Sequence, residues 1–254
     1  MIEDLKGKVV LITGSSTGIG AAVARAFGAN QAKVAVHYNR SEGPAQQVVA
    51  DIEAGGGEAV ALQADVTSSA AIKALVEQTV ARFGRIDVLI NNAGDLVARK
   101  PITEMTDEFF DQVAHLNMRS VLMACKEAVP YMRRQGGGNI INVTSIAARH
   151  GGGGGALLYA ASKGFVSTVT RGMAKEFVGD NIRVNAVSPG VIATPFHERH
   201  TSPEQMEAFN AGIPMRRPGT PDECTGAFLY LASNQLSAYV TGQIVEVNGG
   251  QLMP

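Results

Sequence analysis

A phenol and an ammonium stand four residues apart in Tyr159-Ala160-Ala161-Ser162-Lys163. On a helix that spacing places both on one face. At about 5 Å and an effective dielectric near 20, the ammonium attracts a phenolate by roughly 3 kcal/mol. This draws a phenol that titrates near 10 down by about two pH units. Such a tyrosine exchanges protons close to neutral pH. The plain alternative is an i,i+4 pair on a solvated helix. Position argues against it, because the helix opens directly after a strand and the Gly151–Gly155 loop. Ser145 ends that strand, and its hydroxyl is suited to a carbonyl oxygen that gathers charge; otherwise it simply begins a loop. Asn117, in His115-Leu116-Asn117-Met118, falls inside a helical pattern where asparagine has poor propensity. It either holds a water behind Lys163 or serves as a buried structural amide.

A second group of residues suits a nucleotide. Thr13-Gly14-Ser15-Ser16-Thr17-Gly18-Ile19-Gly20 follows an apolar strand and opens a helix. Its glycines, spaced G-x-x-x-G-x-G, depart from the G-x-G-x-x-G fingerprint. The physics is similar: a tight turn, close backbone approach and free N–H groups at a helix N-terminus facing a pyrophosphate. Without a ligand it would be only a glycine-rich turn. The second strand ends in His37-Tyr38-Asn39-Arg40-Ser41. An NAD site usually places a carboxylate there for the ribose 2′-OH. Asn39, Arg40 and Ser41 offer none, and a guanidinium takes a 2′-phosphate by bidentate contact. NADP(H) is therefore expected over NAD(H), although Arg40 could be a plain surface arginine. Asp65-Val66 ends the third strand; it lines an adenine pocket, or Asp65 caps the next helix.

The elements that must carry these groups are legible as an alternation. Short apolar runs at Val9–Ile12, Val34–Val36, Ala59–Ala64, Val88–Ile90, Ile140–Val143, Ile182–Val187 and Ile244–Val247 read as seven strands. Helical patterns cover Gly18–Gly28, Pro44–Ala54, Ser69–Phe83, Asp107–Gln135, Tyr159–Phe177 and Pro221–Ala232. Continuous apolar strands suit a parallel sheet covered on both faces. Strict β–α alternation predicts a single α/β domain over residues 1–254, a doubly wound Rossmann-type sheet with seven parallel strands. A (β/α)8 barrel needs an eighth repeat. Chemistry is then expected beyond the carboxyl ends of the strands.

Composition narrows the function classes. Of 254 residues, 22 are Lys or Arg and 23 Asp or Glu, a formal charge of −1. No nucleic-acid footprint or polybasic membrane surface is expected from that balance. Cys125 and Cys224 are the only cysteines, so neither a disulfide framework nor a cysteine-rich zinc site is expected. No metal-ligand cluster is expected either. The polar N-terminal residues predict no signal peptide, and the expected compartment is a reducing cytoplasm.

Taken together, the motifs resemble the short-chain dehydrogenase/reductase family over nearly the whole chain. Thr13–Gly20 is similar to its glycine turn. Asn91-Asn92-Ala93-Gly94 is similar to its element after strand four. Asn117, Ser145, Tyr159 and Lys163 fall in order on its catalytic tetrad. Pro189-Gly190 with Thr194 resembles its nicotinamide-flanking segment, and Val247-Asn248-Gly249-Gly250 its closing strand. The resemblance implies hydride transfer between a nicotinamide and a ketone or secondary alcohol. Tyr159 would protonate the oxygen, Lys163 tune Tyr159 and touch the ribose, Ser145 fix the carbonyl, and Asn117 support a water relay. Thr194 and the backbone at Val191 or Ile192 would orient the carboxamide. The resemblance also implies a homotetramer, with the Asp107–Gln135 and Tyr159–Phe177 helices at one interface and the C-terminal segment at another.

The substrate end is expected between a lid at about 190–220 and the Gly151–Gly155 loop. Phe196, His197, Met206 and Phe209 are candidate lining residues, although their spacing also fits plain packing. Five successive glycines predict a mobile, permissive edge with few side-chain contacts. His150 and His197 are further acid–base candidates that Tyr159 makes unnecessary. Within the family the chain resembles 3-oxoacyl-carrier-protein reductases, with Arg133, Arg134 and Lys175 as candidate contacts for acyl carrier protein. Sugar-alcohol or other ketone substrates, or a non-catalytic nucleotide-binding regulator, are the alternatives.

Overall fold

The computed structural model describes all 254 residues. Seven strands form one sheet: β1 (Val9–Ile12), β2 (Lys33–Tyr38), β3 (Glu58–Gln63), β4 (Val88–Asn91), β5 (Gly138–Val143), β6 (Ile182–Pro189) and β7 (Ile244–Val247). Their order is β3-β2-β1-β4-β5-β6-β7, and every pair is parallel. The helices are α1 (Gly18–Ala29), α2 (Glu42–Ala54), α3 (Ser69–Phe83), α4 (Asp107–Ala114), α5 (Ser120–Arg134), α6 (Ala147–His150), α7 (Leu157–Phe177), α8 (Pro195–His200), α9 (Pro203–Gly212), α10 (Pro221–Ala232) and α11 (Asn234–Ser237).

Two cores explain why the strands read as unbroken apolar runs. On β1, Val10 and Ile12 pack with Phe27 and Phe228 on the face of α1, α2 and α10. Leu11, between them, packs with Leu75, Met132 and Met173 on the face of α3, α5 and α7. Alternate side chains leave a strand on opposite faces. With both faces covered, every residue of β1 is buried.

The chain winds outward from β1 to β3, then crosses back to β4. The switch lies between β1 and β4, where an open sheet leaves a crevice. Asn92 spans it: its Nδ2 donates to the carbonyls of Thr13 and Gly14, both at 2.9 Å. The Thr13 hydroxyl accepts the N–H groups of Asn92 and Ala93 at 3.0 Å.

The helical stretch expected over Asp107–Gln135 divides. A π-turn at His115–Arg119 joins α4 to α5, and Asn117 lies inside it, fully buried. No helix is long and apolar enough to cross a membrane.

Candidate active site

A cleft of about 1120 Å³ opens beyond the carboxyl ends of the strands. That is larger than a small-ligand pocket of 300–1,000 Å³. It is lined by Gly14, Ser16–Gly20, Asn39–Ser41, Val66, Asn92–Gly94, Ser145, Tyr159, Lys163, Pro189–Ile192 and Thr194. Apart from Asp65 and Asn117, which do not line it, the residues expected to hold a dinucleotide and those expected to do chemistry meet in one place.

At one end, the N–H groups of Gly18, Ile19 and Gly20 find no acceptor in the protein, and Thr17 supplies no side-chain cap. They form the positive end of a 12-residue helix. Gly14 and Gly18 both carry φ near +60°, which glycine adopts without strain. A Cβ on Gly18 would meet Thr194 at 3.4 Å. Thr194 thus faces the helix start across the cleft. Gly190 is held by the closing strand, since a Cβ there would meet Asn248 at 2.7 Å. This cradle fits the pyrophosphate and carboxamide of a nicotinamide dinucleotide.

Arg40 is exposed and forms no ion pair, and the Ser16 and Ser41 hydroxyls bond each other at 2.8 Å nearby. Asp65 departs from both expectations. The cleft is lined by Val66 and Thr67 instead. The Asp65 carboxylate closes on the Thr67 N–H and hydroxyl at 2.9 and 2.8 Å. The helix cap belongs to Ser68, which accepts from Ala71 N–H. An aspartate closing a turn on the residue two ahead satisfies itself locally.

Tyr159 sits in the first turn of α7, and Lys163 lies one turn on, 4 % exposed. The Thr144 hydroxyl bonds the Lys163 carbonyl at 2.8 Å and pins α7 to the end of β5. Lys163 Nζ donates to the Val143 carbonyl at 2.9 Å and lies 5.7 Å from the Tyr159 ring centre. Burial pushes the Lys163 ammonium down to about 8. The expected lowering of Tyr159 is corrected here. Packing round its phenol pushes it up to about 12, the neighbouring Ser145 hydroxyl favours ionisation, and the charge of Asp95 opposes it. Burial disfavours both charged forms, and the ammonium is directed at a carbonyl.

Asn117 is close to Lys163, because a Cβ on Gly94 would meet Asn117 Oδ1 at 2.7 Å and Lys163 Nζ at 3.1 Å. Its amide is committed elsewhere. Oδ1 accepts Asp95 N–H at 3.1 Å, and Nδ2 donates to the carbonyls of Asp95 and Val113. Both Nδ2 protons are thus engaged, while Oδ1 keeps one lone pair toward Lys163.

At the substrate end, Phe196, His197 and Phe209 line the cleft as expected, whereas Met206 does not. His150 also lines it, its Nδ1 accepting Gly152 N–H at 3.2 Å. The glycine loop has more side-chain contact than expected. Arg99 donates to the carbonyls of Gly153 and Gly154 at 3.0 and 3.1 Å. Arg99, Asp95, Gln205 and Gln251 are lining residues that motif reading passes over. So is His37, whose polarity in an apolar strand was the available signal. Arg133, Arg134 and Lys175 lie at the wrong edge for an acyl carrier. α5 and α7 start at the cleft and end where the chain turns back into β5 and β6. Arg133 is moreover paired with Asp180, and Arg134 lies over the Tyr131 ring.

The family model described as enoyl-(acyl carrier protein) reductase matches residues 14–251. A 3-oxoacyl-[acyl-carrier-protein] reductase of Synechocystis is 41% identical over 249 residues, covering 98% of each chain. The chain belongs to the short-chain dehydrogenase/reductase family. A second relative of this family, 3beta-hydroxysteroid dehydrogenase 1 of Eggerthella lenta, is 39% identical over 255 residues, covering 100% of this chain and 97% of its own. The solved structure of NADH-dependent reductase A1-R′, responsible for alginate metabolism, superposes with TM-score 0.92 at 40% identity, covering 99% of this chain and 100% of its own. The same reductase has been solved complexed with NAD. As a short-chain dehydrogenase/reductase, this protein is a nicotinamide-dependent oxidoreductase acting on hydroxyl and keto groups.

Proposed function

We propose that Tyr159, Ser145, Lys163 and Asn117 carry out this ketone/alcohol chemistry, with NADP(H) preferred over NAD(H). The carrying observation is the convergence of Tyr159, Ser145 and buried Lys163 on the cleft that also contains the free N–H groups of α1. When bound, the nicotinamide supplies or takes a hydride at C4. In the reductive direction Tyr159 gives its hydroxyl proton to the carbonyl oxygen, which ends as the alcohol. Ser145 donates a hydrogen bond to that oxygen as charge builds on it. Lys163 stabilises the phenolate left on Tyr159 until a proton returns. Asn117 holds the backbone after Gly94 in place and supports a water relay behind Lys163.

NADP(H) is favoured by unpaired Arg40 and by the absence of a carboxylate at Asn39 and Ser41. The second reading, NAD(H), rests on the likeness to the NADH-dependent reductase. At the substrate end, Arg99, His150, His197, Gln205 and Gln251 stand among Leu96, Phe196 and Phe209. This mixed lining favours a compact, oxygen-bearing ketone over a long acyl chain. A 3-oxoacyl thioester, with acyl carrier protein as partner, is supported by the Synechocystis relative, by a Thermotoga maritima relative of the same activity and by the description of the family model. We also assign the protein to the cytoplasm, on its buried free thiols, and to a homotetramer, with residues 190–220 as substrate lid.

The test mixes protein with NADPH or NADH and a panel of sugar-derived ketones, steroids and acyl thioesters, and follows nicotinamide absorbance. Turnover is expected with at least one ketone. Tyr159→Phe is expected to lose at least a thousandfold in kcat while binding nucleotide within twofold. A Tyr159→Phe enzyme turning over at the wild-type rate would remove the assignment.

A further inference from the structure

One short segment, residues 95–100, holds both walls of the substrate end. Asp95 follows Gly94 at the mouth of the cleft. Its N–H and carbonyl are bound by the Asn117 amide at 3.1 and 2.9 Å. Its carboxylate reaches the opposite way. Oδ1 meets His200 Nε2 at 2.7 Å, and Oδ2 meets Arg199 at 3.5 Å. Since an ionised carboxylate only accepts, His200 Nε2 is the donor. Both partners belong to α8. Four residues on, Arg99 Nε donates to the His200 carbonyl at 2.9 Å. Its other bonds go to Gly153 and Gly154, and Lys100 N–H bonds the Gly155 carbonyl at 3.0 Å.

The position of α8 matters because of Phe196. Its ring lies 5.7 Å from the Tyr159 ring and 5.1 Å from the His200 ring. A helix of six residues has little stability of its own. Its hold on Tyr159 must come from contacts at its ends. Those at its C-terminal end are the Asp95 carboxylate and the Arg99 guanidinium.

We propose that Asp95 is a positioning residue: its carboxylate fixes α8 so that Phe196 walls the Tyr159 side of the cleft, while its main chain ties that wall to Asn117. Arg99 completes the clamp on the glycine loop. The importance of this wall to turnover rests on the catalytic reading above; the clamp itself does not. Closing the substrate end and ordering the proton-handling residues then share one backbone segment. Closure excludes water where a carbonyl is to be reduced.

Hydrogen–deuterium exchange on the full chain, without nucleotide or substrate, tests the clamp. Asp95→Ala is expected to speed exchange over residues 195–201 about tenfold, with peptides of β4 and β5 unchanged. His200→Asn is the second variant, which leaves the main-chain bonds to Asn117 intact; it is expected to loosen the same residues. On a ketone found by the panel, both variants are expected to raise KM about tenfold, with nucleotide Kd within twofold. Unchanged exchange over 195–201 in both variants overturns the clamp. Loosening of α8 with unchanged KM overturns its positioning role. If no ketone is turned over, exchange alone decides the clamp, and the failure belongs to the catalytic reading.

Discussion

Lys163 shows how burial reverses an expectation built on pair attraction alone. The ammonium was expected to lower Tyr159, but packing round buried Lys163 and half-buried Tyr159 makes each resist its charged form. Lys163 falls from 10.5 to about 8 and Tyr159 rises to about 12. The charge on Lys163 is a cost to folding, retained for function. Lys163→Met keeps the bulk and removes the charge. A shift of that size corresponds to about 3 kcal/mol, and the Val143 carbonyl left without its donor offsets about 1 kcal/mol. The variant is expected to be inactive yet more stable at pH 7, with Tm raised by a few degrees. Below pH 8 both folded and unfolded lysine are charged, so wild type carries the whole penalty. Above 10.5 both are neutral and the penalty is gone. The Tm difference should therefore close between pH 8 and 10.5; calorimetry across that range that finds it constant would refute the assignment to charge burial. Arg40 makes the contrasting case, an exposed charge with no partner. Arg40→Glu should weaken NADPH about a hundredfold and NADH less than fivefold. Equal losses in fluorescence titrations would leave the NAD(H) reading in possession.

Among the elements, β2 and the glycine turn form a unit because of His37. Its Nδ1 accepts Gly14 N–H at 2.8 Å, and its Nε2 meets the Ala64 carbonyl at 3.0 Å. Its own N–H donates to the Ser15 hydroxyl at 2.9 Å. A ring that accepts at Nδ1 must be neutral, with its proton on Nε2. Burial lowers its pKa below 6.5, outweighing the Ala64 carbonyl and the Asp65 charge, which raise it. The stabilisation is thus full above the unfolded value of 6.5 and is lost as pH falls through the folded value. His37→Phe should cost about 1–3 kcal/mol at pH 8, where the Gly14 N–H loses its acceptor. It should also flatten the decline in Tm below pH 6.5; an unaltered acid slope would place that sensitivity elsewhere. The glycine turn was legible because its residue types are required by its own backbone. His37 was not, because its partners lie 23 and 27 residues away. The same limit applies at Asn117. Its poor helix propensity marked the position, but Asp95 as the group it holds became visible only when the loop after β4 met the π-turn.

For the molecule as a whole, a parallel doubly wound sheet of seven strands was readable from alternation, whereas strand order and helix direction were decided by the fold. Arg133, Arg134 and Lys175 were candidate contacts for acyl carrier protein, yet they lie away from the cleft because α5 and α7 run back from it. The two sheet edges also differ. At β3, Glu58 is paired with Lys33 and Arg82, and charge of this kind deters edge-to-edge pairing. At β7 the strand is partly exposed along its length. Tyr230, Leu236, Tyr239 and Met253 are exposed on α10, α11 and the segments next to β7. The Glu246 carboxylate on β7 is buried without a hydrogen bond, its nearest cation Arg149 at 3.5 Å. A partly exposed strand edge flanked by exposed apolar side chains suits cover by a second copy. Phe110 and Leu157 are exposed on α4 and α7, the side where the proposed tetramer would have its second interface. Light scattering is expected to give four times the 26.6 kDa chain. Charging the β7 side with Tyr230→Glu and Leu236→Glu should halve that mass and leave the circular dichroism unchanged. A wild-type mass of one chain would remove the tetramer. A variant that stays tetrameric would move the interface away from β7.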